Sequence, residues 1–253
     1  MTTVRLAQSA PGCQGCTGSA ADFDLRMALQ PIVNTTTRSL FAQEALVRGP
    51  NQESAGEILA KVNDSNRYRF DQACRITAVK LAARLQVECF LSINFMPNAV
   101  YEPERCLRST VEVAAAVAFP LERIIFEFSE SERVADIGFL RFIVEHYRAR
   151  GLRTAIDDFG AGYSGLNLLA ELQPDYVKLD MGLCRRIDRE RARRSIVRGI
   201  AQVCRELEIQ LIAEGIETRD ELRCLQDLGL ELFQGYYFAR PAFEAQPAVA
   251  FDA

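Results

Sequence analysis

The sequence predicts a single-domain α/β protein built as a (β/α)8 TIM-like barrel. From residue 25 onward, short apolar runs alternate with longer amphipathic stretches, and about eight of the runs resemble strands. Strands separated by helical stretches are typical of parallel sheets with helical crossovers. The length of 253 residues fits one large domain or two small ones, so the alternation carries the prediction.

The predicted strands are apolar and β-branched runs bounded by turn residues. In chain order they cover residues 29–33, 40–47, 89–93, 124–128, 152–156, 176–179, 209–213 and 230–233. The predicted helical regions cover residues 55–85, 104–118, 139–150, 166–172, 192–207 and 219–228. Only Asn34-Thr35-Thr36-Thr37 joins the first two strands, which leaves no room for a helix, so we expect the first strand to run antiparallel.

The two ends of the chain lack this periodicity. Residues 1–22 are rich in Ser, Thr, Ala and Gly, and we expect a flexible arm there, a barrel over residues 23–245 and a tail over residues 246–253. The arm contains Cys13-Gln14-Gly15-Cys16, which is half of a tetrahedral zinc site, with no second pair at zinc-finger spacing. An arm without a dedicated role, a redox pair and a metal clip completed by another cysteine or subunit all remain open.

Composition argues against several classes of protein. A net charge of −4 and a pI near 5.3 do not suit a protein that binds DNA or RNA polymers or anionic membranes. The sequence shows no apolar run of membrane-spanning length and no signal peptide pattern, so we expect a cytoplasmic protein. Most of the eight cysteines are scattered singly, which favours reduced thiols, and the single histidine, His146, argues against histidine-based acid–base catalysis.

Polar residues end nearly every predicted strand. They are Glu44, Asn94, Glu127, Asp157 with Asp158, Lys178, Glu214 and Gln234. In a barrel these ends lie together on the C-terminal face, where such enzymes carry their chemistry. A polar strand terminus would explain any one of these residues, but it explains the whole set poorly.

The four acidic residues Glu44, Glu127, Asp157 and Asp158 would crowd negative charge unless cations compensate it. The set has hard oxygen donors and no imidazole or thiolate, which favours Mg²⁺ or Mn²⁺ over zinc. Four carboxylates can hold two ions about 3.5–4 Å apart, the arrangement used for in-line displacement at phosphorus.

Two roles are open for Lys178 on chemical grounds. It could orient an attacking water and offset charge in the transition state, or it could form a Schiff base as in barrel aldolases. The surrounding acids argue for the first role, because they keep the ammonium charged. Glu214 could pair with Lys178 and accept the proton of the water.

Seven motifs stand in the order found in one bacterial family. They are Glu44-Ala45-Leu46-Val47-Arg48, Ser92-Ile93-Asn94, Phe126-Glu127-Phe128-Ser129-Glu130, Asp157-Asp158-Phe159-Gly160-Ala161-Gly162-Tyr163-Ser164, Tyr176-Val177-Lys178-Leu179-Asp180, Ala213-Glu214-Gly215-Ile216-Glu217-Thr218 and Gln234-Gly235-Tyr236. Over about residues 24–242 the chain resembles the bacterial EAL domain, which hydrolyses cyclic di-GMP. The resemblance implies a metal-dependent phosphodiesterase whose product is the linear dinucleotide pGpG.

The resemblance also implies a role for each matching residue. Glu44, Asn94, Glu127 and Asp157 would hold one metal ion, Asp157 would bridge to a second ion shared with Asp158, and Glu217 would support the second ion. Lys178 would contact the nucleophilic water, Glu214 would be the general base and Gln234 would steady the cluster. Gln30, Arg48 and Asp180 would bind the dinucleotide, and Glu130 would act through Ser164 to couple the metal site to a dimer contact.

The remaining expectations concern partners and regulation. We expect a homodimer, with control through dimerisation, the arm or a separate regulatory protein. A run of arginines favours a solvated, salt-bridged surface, and a partner interface is its alternative. These arginines are Arg185, Arg186, Arg189, Arg191, Arg193, Arg194 and Arg198. A catalytically silent cyclic di-GMP receptor is the alternative to an enzyme, but no departure from the family pattern removes a predicted metal ligand.

Overall fold

The computed structural model describes residues 23–130, 132, 136–162 and 165–251. The predicted arm over residues 1–22, with Cys13 and Cys16, lies outside the described residues, as does Ser164. The six cysteines in the described part are all free thiols, as expected.

Nine strands and eight α-helices form the described chain. The strands are β1 Arg26–Asn34, β2 Ser39–Arg48, β3 Phe90–Asn94, β4 Ile124–Ser129, β5 Arg153–Phe159, β6 Tyr176–Leu179, β7 Gln210–Ala213, β8 Leu232–Phe233 and β9 Ala242–Phe243. The helices are α1 Ala55–Leu59, α2 Arg67–Arg84, α3 Pro103–Ala116, α4 Ile137–Arg148, α5 Gly165–Leu172, α6 Met181–Cys184, α7 Arg191–Glu206 and α8 Arg219–Asp227.

Strands β1 to β8 close into a barrel. Strands β2 to β8 are parallel and follow one another in sequence order around the sheet, and β1 lies between β8 and β2. β1 pairs antiparallel with both neighbours, so the predicted antiparallel first strand is confirmed. The (β/α)8 fold predicted from the alternation of strands and helices is likewise confirmed.

The structure adds two details to the predicted order of elements. The helical region predicted over residues 55–85 is two helices, because Asn63 and Asn66 form turns between them. The Asn63 side chain accepts a hydrogen bond from the Ser65 amide at 2.9 Å, and the Asn66 side chain accepts one from the Asn63 amide at 2.7 Å. The two-residue strand β9, which pairs with β1, was not predicted.

An apolar layer fills the barrel beneath the polar strand ends. It consists of Ile32, Ala42, Ile125, Ala155, Tyr176, Ile212 and Leu232. Six of these residues lie two positions before Glu44, Glu127, Asp157, Lys178, Glu214 and Gln234 along their strands. Because side chains on a strand alternate between faces, residues two apart point the same way. The apolar layer therefore directs the polar residues into the mouth of the barrel.

Helices cover the outside of the barrel and bury their apolar faces against it. None of the helices in the described ranges has the length and apolar character needed to cross a membrane.

Candidate functional site

The ammonium of Lys178 lies at the centre of the barrel mouth. Its Nζ is 2.9 Å from Glu127 Oε2, 2.9 Å from Glu214 Oε1, 3.0 Å from Asp157 Oδ1 and 3.4 Å from Glu44 Oε2. The lysine side chain is 1% exposed. Four strands therefore bring a carboxylate to one buried cation, and the predicted convergence of strand ends is present.

The carboxylates form two groups that share one member. Oxygens of Glu44, Glu127 and Asp157 lie within 4.8 Å of one another, and so do oxygens of Asp157, Asp158 and Glu214. Asp157 belongs to both groups. This arrangement gives two adjacent sets of hard oxygen donors, as divalent cations of the magnesium type require.

A break in strand β5 lets adjacent aspartates face the same site. The pairing of β5 with β6 is irregular between Ile156 and Phe159, and Asp158 has a φ of 55°. In a regular strand Asp157 and Asp158 would point to opposite faces. The irregular backbone turns both carboxylates toward the barrel mouth.

Neutral side chains hold Glu44 in place. Gln234 Nε2 donates to Glu44 Oε2 at 2.7 Å, and Asn94 Nδ2 donates to Glu44 Oε1 at 3.1 Å. Burial alone would raise the pKa of Glu44, but Lys178 and these two hydrogen bonds outweigh burial and lower it. Glu44 therefore ionises more readily than Glu127, Asp157 or Glu214, whose pKa values are raised. The donation through Nδ2 leaves the Asn94 amide oxygen for another partner.

Hydroxyl groups orient two other acids. The Ser92 hydroxyl, which is fully buried, donates to Glu127 Oε1, while Glu127 Oε2 contacts Lys178. The Ser129 hydroxyl donates to Asp158 Oδ2 at 3.2 Å.

The electrostatics show an excess of buried acid. Burial raises the pKa of Glu127, Lys178 lowers it, and repulsion from Glu44 and Asp157 adds to the rise, so that it reaches about 8. Burial likewise raises the pKa of Asp157 and of Glu214 despite the attraction of Lys178. For Lys178, burial would lower the pKa, but the surrounding carboxylates raise it well above its usual range. One ammonium does not balance this many acids, so added cations would stabilise the ionised cluster.

A cleft of about 260 Å³ opens beside the acid cluster. Its walls include Gln30, Asp180, Glu217 and Gln234, so two of the three predicted substrate residues line the same cavity as the acids. Glu217 belongs to neither carboxylate group; its Oε1 is instead 2.7 Å from Arg185.

A second cavity of about 370 Å³ also borders the acids. Its walls are mostly apolar and include Leu46, Phe95 and Met96, together with Glu44 and Asp157. Arg48, the third predicted substrate residue, follows Val47 of this wall and donates to the Val47 carbonyl at 2.7 Å. A ligand that spans both cavities would cross the two carboxylate groups.

Comparison with known proteins identifies the family. The family model described as the EAL domain matches residues 19–241, which is most of the chain. The chain belongs to the EAL domain family.

Solved structures of EAL proteins share this fold. A standalone versatile EAL protein from Vibrio cholerae O395, in its c-di-GMP bound form, is 53% identical with a TM-score of 0.89, over 91% of this chain and 98% of that one. Klebsiella pneumoniae BlrP1, in a manganese/cy-diGMP complex, is 34% identical with a TM-score of 0.83, over 91% of this chain and 58% of that one.

Curated relatives carry the same domain within longer chains. The antirepressor BluF of Escherichia coli K12, regulated by blue light and temperature, is 32% identical over 88% of this chain and 56% of its own length. The cyclic di-GMP phosphodiesterase PdeR of the same strain is 36% identical over 76% of this chain and 23% of its own. This chain spans about half or less of the length of these relatives.

Glu130 braces the loop that follows the paired aspartates of this EAL domain. Its Oε2 accepts a hydrogen bond from the Gly160 amide and its Oε1 accepts one from the Gly165 amide, each at 2.7 Å. One carboxylate just after β4 therefore accepts hydrogen bonds from two glycine amides of this segment. The predicted coupling through Ser164 concerns a residue outside the described part and stays a prediction.

Three residues in the EAL site were not predicted from the sequence as site residues. Ser92 orients Glu127, and its place two residues before Asn94 on β3 was the available signal. Asp71, on α2, accepts a hydrogen bond from the Met96 amide at 3.0 Å and thereby holds the loop after Asn94; no local pattern indicates this contact. Arg185 is half-exposed and salt-bridged to Glu217, as predicted for the arginine run, but its position in the wall of the cleft was not predicted.

Proposed function

We propose that this protein is a metal-dependent phosphodiesterase that hydrolyses cyclic di-GMP to linear pGpG. The observation that carries the proposal is the convergence on Lys178 of two carboxylate groups that share Asp157. The name of PdeR and the bound ligand of the Vibrio cholerae protein support the substrate.

The donor set suits two ions of Mg²⁺ or Mn²⁺. Besides the excess of carboxylates, the buried Gln234 Oε1 accepts no hydrogen bond from the residues that the structure describes. This oxygen is therefore available to a ligand. Glu44, Asn94, Glu127 and Asp157 would hold one ion, and Asp157 with Asp158 the other. The manganese complex of BlrP1 supports this class of metal, and Glu217, beside Arg185, would have to act on the second ion from a distance.

When bound, the ions would supply a lowered pKa for a water and positive charge against the phosphate oxygens. Lys178 would orient the attacking water, because its charged Nζ is fixed by four carboxylates. Glu214 contacts Lys178 directly, and burial raises its pKa, which makes its carboxylate a stronger base than an exposed one. It would accept the water proton when added cations keep the cluster ionised. Gln234 would keep Glu44 in position through its hydrogen bond.

Substrate binding would use the two cavities that border the acids. Gln30 and Asp180 line the cleft, and Arg48 lies at the end of the wall of the second cavity. A guanidinium donates bidentately to phosphate, which suits Arg48. We also propose homodimerisation and control by a separate regulatory protein. Glu130 forms two hydrogen bonds with the loop after β5, and through them a subunit contact would affect the position of Asp157 and Asp158.

A cyclic di-GMP receptor without catalysis is the second candidate, because the curated relative BluF is named an antirepressor. The complete set of acids around Lys178 favours hydrolysis, since a receptor has no need of a buried acid excess. A Schiff-base mechanism is disfavoured, because the raised pKa of Lys178 keeps its ammonium protonated.

The test is to incubate the purified chain with cyclic di-GMP and Mn²⁺ or Mg²⁺ and to follow pGpG by chromatography. We expect turnover that EDTA stops and that Glu44→Ala and Lys178→Ala abolish, whereas Glu206→Ala, at an exposed glutamate of α7, retains it. Tight binding of cyclic di-GMP without any pGpG would refute the enzyme and support the receptor.

A further inference from the structure

Arg185 differs from the other members of the arginine run. The run follows α6 and extends into the first half of α7. Within it, Arg189 pairs with Asp188 at 3.1 Å and Arg193 pairs with Glu190 at 3.1 Å. Arg185 instead lines the cleft, and among the described residues that line it, Arg185 is the one with a cationic side chain.

The backbone of Arg185 is fixed while its side chain is only weakly held. Its amide donates to the Met181 carbonyl at 2.8 Å, and the adjacent Cys184 is fully buried. The guanidinium pairs with Glu217 at 2.7 Å, but the side chains are 47% and 46% exposed. Ion pairs this exposed contribute little net stability, so a ligand can replace Glu217 as the partner of Arg185 at small cost.

The charge around Arg185 discriminates between parts of a dinucleotide. Asp180 and Glu217 line the same cavity, so a phosphate that approached the guanidinium would also meet two carboxylates. A neutral base with separate acceptor and donor edges avoids this repulsion. Guanine presents O6 and N7 as acceptors on one edge, and an arginine fork donates to both of them.

The cavity also offers an apolar surface suited to a base. Tyr236, which is 50% exposed, lines the cleft, and the Arg240 guanidinium covers its ring at 4.1 Å. Aromatic rings of this kind stack with nucleobases. The Arg185 guanidinium, several carboxylate acceptors and the Tyr236 ring thus line one cleft beside the acid cluster.

We propose that Arg185 is a specificity-determining residue that donates to the O6 and N7 atoms of one guanine of the substrate. The inference rests on the proposed function, because it assumes that a guanine dinucleotide enters this cleft. On binding, the guanidinium exchanges the Glu217 carboxylate for the guanine edge. Adenine fits this position poorly, since it presents an amino donor where guanine presents O6.

The test is calorimetric binding in EDTA, which separates recognition from turnover. Cyclic di-GMP and cyclic di-AMP are titrated into the wild-type chain and into Arg185→Ala, Arg185→Lys and Arg189→Ala. Arg189 is the matched control, because it belongs to the same arginine run but does not line the cleft. Arg185 is half-exposed, so its replacement opens no core cavity, and thermal melting checks that each variant is folded.

We expect Arg185→Ala to weaken cyclic di-GMP binding on the order of 10- to 100-fold and to reduce the preference over cyclic di-AMP. Arg185→Lys should lose most of the preference, since an ammonium is not a two-pronged donor, and Arg189→Ala should match the wild type. Unchanged cyclic di-GMP binding in Arg185→Ala would overturn the inference. Equal losses for both dinucleotides would also overturn it, in favour of a phosphate contact. A wild-type chain that binds and hydrolyses neither dinucleotide would refute the proposed function itself.

Discussion

Replacement of Glu127 by glutamine should make the metal-stripped protein more stable at pH 8. Glu127 is fully buried, and its pKa is raised from 4.5 to about 8. A group with a raised folded-state pKa stabilises the fold below its unfolded value, and that contribution disappears as the pH rises through the folded value. Stability therefore falls progressively between about pH 4.5 and pH 8, because the unfolded chain ionises Glu127 in this range while the folded protein keeps it protonated.

The expected change in stability follows from the size of this pKa shift. A rise from 4.5 to about 8 corresponds to about 5 kcal/mol between the two protonation states, and most of it is expressed at pH 8. Glutamine keeps the shape of the side chain and removes the charge. Lys178 retains three other carboxylates within 3.4 Å, so the substitution does not leave the ammonium without compensation.

The assay is thermal unfolding in EDTA at pH 8 and at pH 5. One kcal/mol corresponds to roughly 2–4 °C in a domain of this size, so we expect Glu127→Gln to raise the Tm by about 10 °C at pH 8. At pH 5 the Glu127 carboxyl of the folded wild type is neutral, so the wild type and the variant should have the same Tm. Addition of Mn²⁺ should stabilise the wild type and have a smaller effect on the variant, which should also lack turnover.

The matched control is Glu122→Gln, at an exposed glutamate just before β4, which should leave both melting curves unchanged. The reasoning would be refuted if Glu127→Gln melted below the wild type at pH 8 in EDTA. That result would mean that the Glu127–Lys178 pair stabilises the fold more than the ionised carboxylate destabilises it.

Three further substitutions test other parts of the site. Ser92→Ala removes the hydroxyl that donates to Glu127 and should lower Mn²⁺ affinity by roughly 10- to 100-fold in a titration followed by electron paramagnetic resonance, whereas Thr110→Val, at another buried hydroxyl, should not. Glu130→Gln leaves one acceptor oxygen for two loop glycines, so hydrogen exchange at those amides should accelerate; unchanged exchange would contradict the bracing role. Gly235→Ala would place a Cβ 2.1 Å from the backbone oxygen of Ile216, in the loop after β7, and should lower the Tm by several degrees. An unchanged Tm would rule out that clash.

The strand ends could be predicted from the sequence because each depends on a local pattern. An apolar run sets the alternation of a strand, and the polar residue after it continues the same face, as Tyr176 and Lys178 do on β6. The barrel then brings these ends together whatever lies in the intervening helices. The turn between α1 and α2 was equally local, since Asn63 and Asn66 are turn residues, and it was hidden only by the apolar periodicity on either side.

Contacts between distant segments could not be predicted in this way. Asp71 lies on α2, and its bond to the Met96 amide depends on how that helix packs beside β3. Arg185 belongs by sequence to a basic run, and only the path of the chain after α6 turns it toward Glu217. The strand β9 has two residues, which is too short for any periodicity to appear.

The position of Lys178 links the stability of the barrel to its chemistry. Its ammonium contacts members of both carboxylate groups, so a single charge holds together two sets of acids that would otherwise repel each other. Divalent cations bound to those sets would take over much of this compensation. The excess of acid that destabilises the folded protein at high pH is thus the same feature that would select cations. It follows that pH should affect stability strongly in EDTA and only weakly when Mn²⁺ saturates the site.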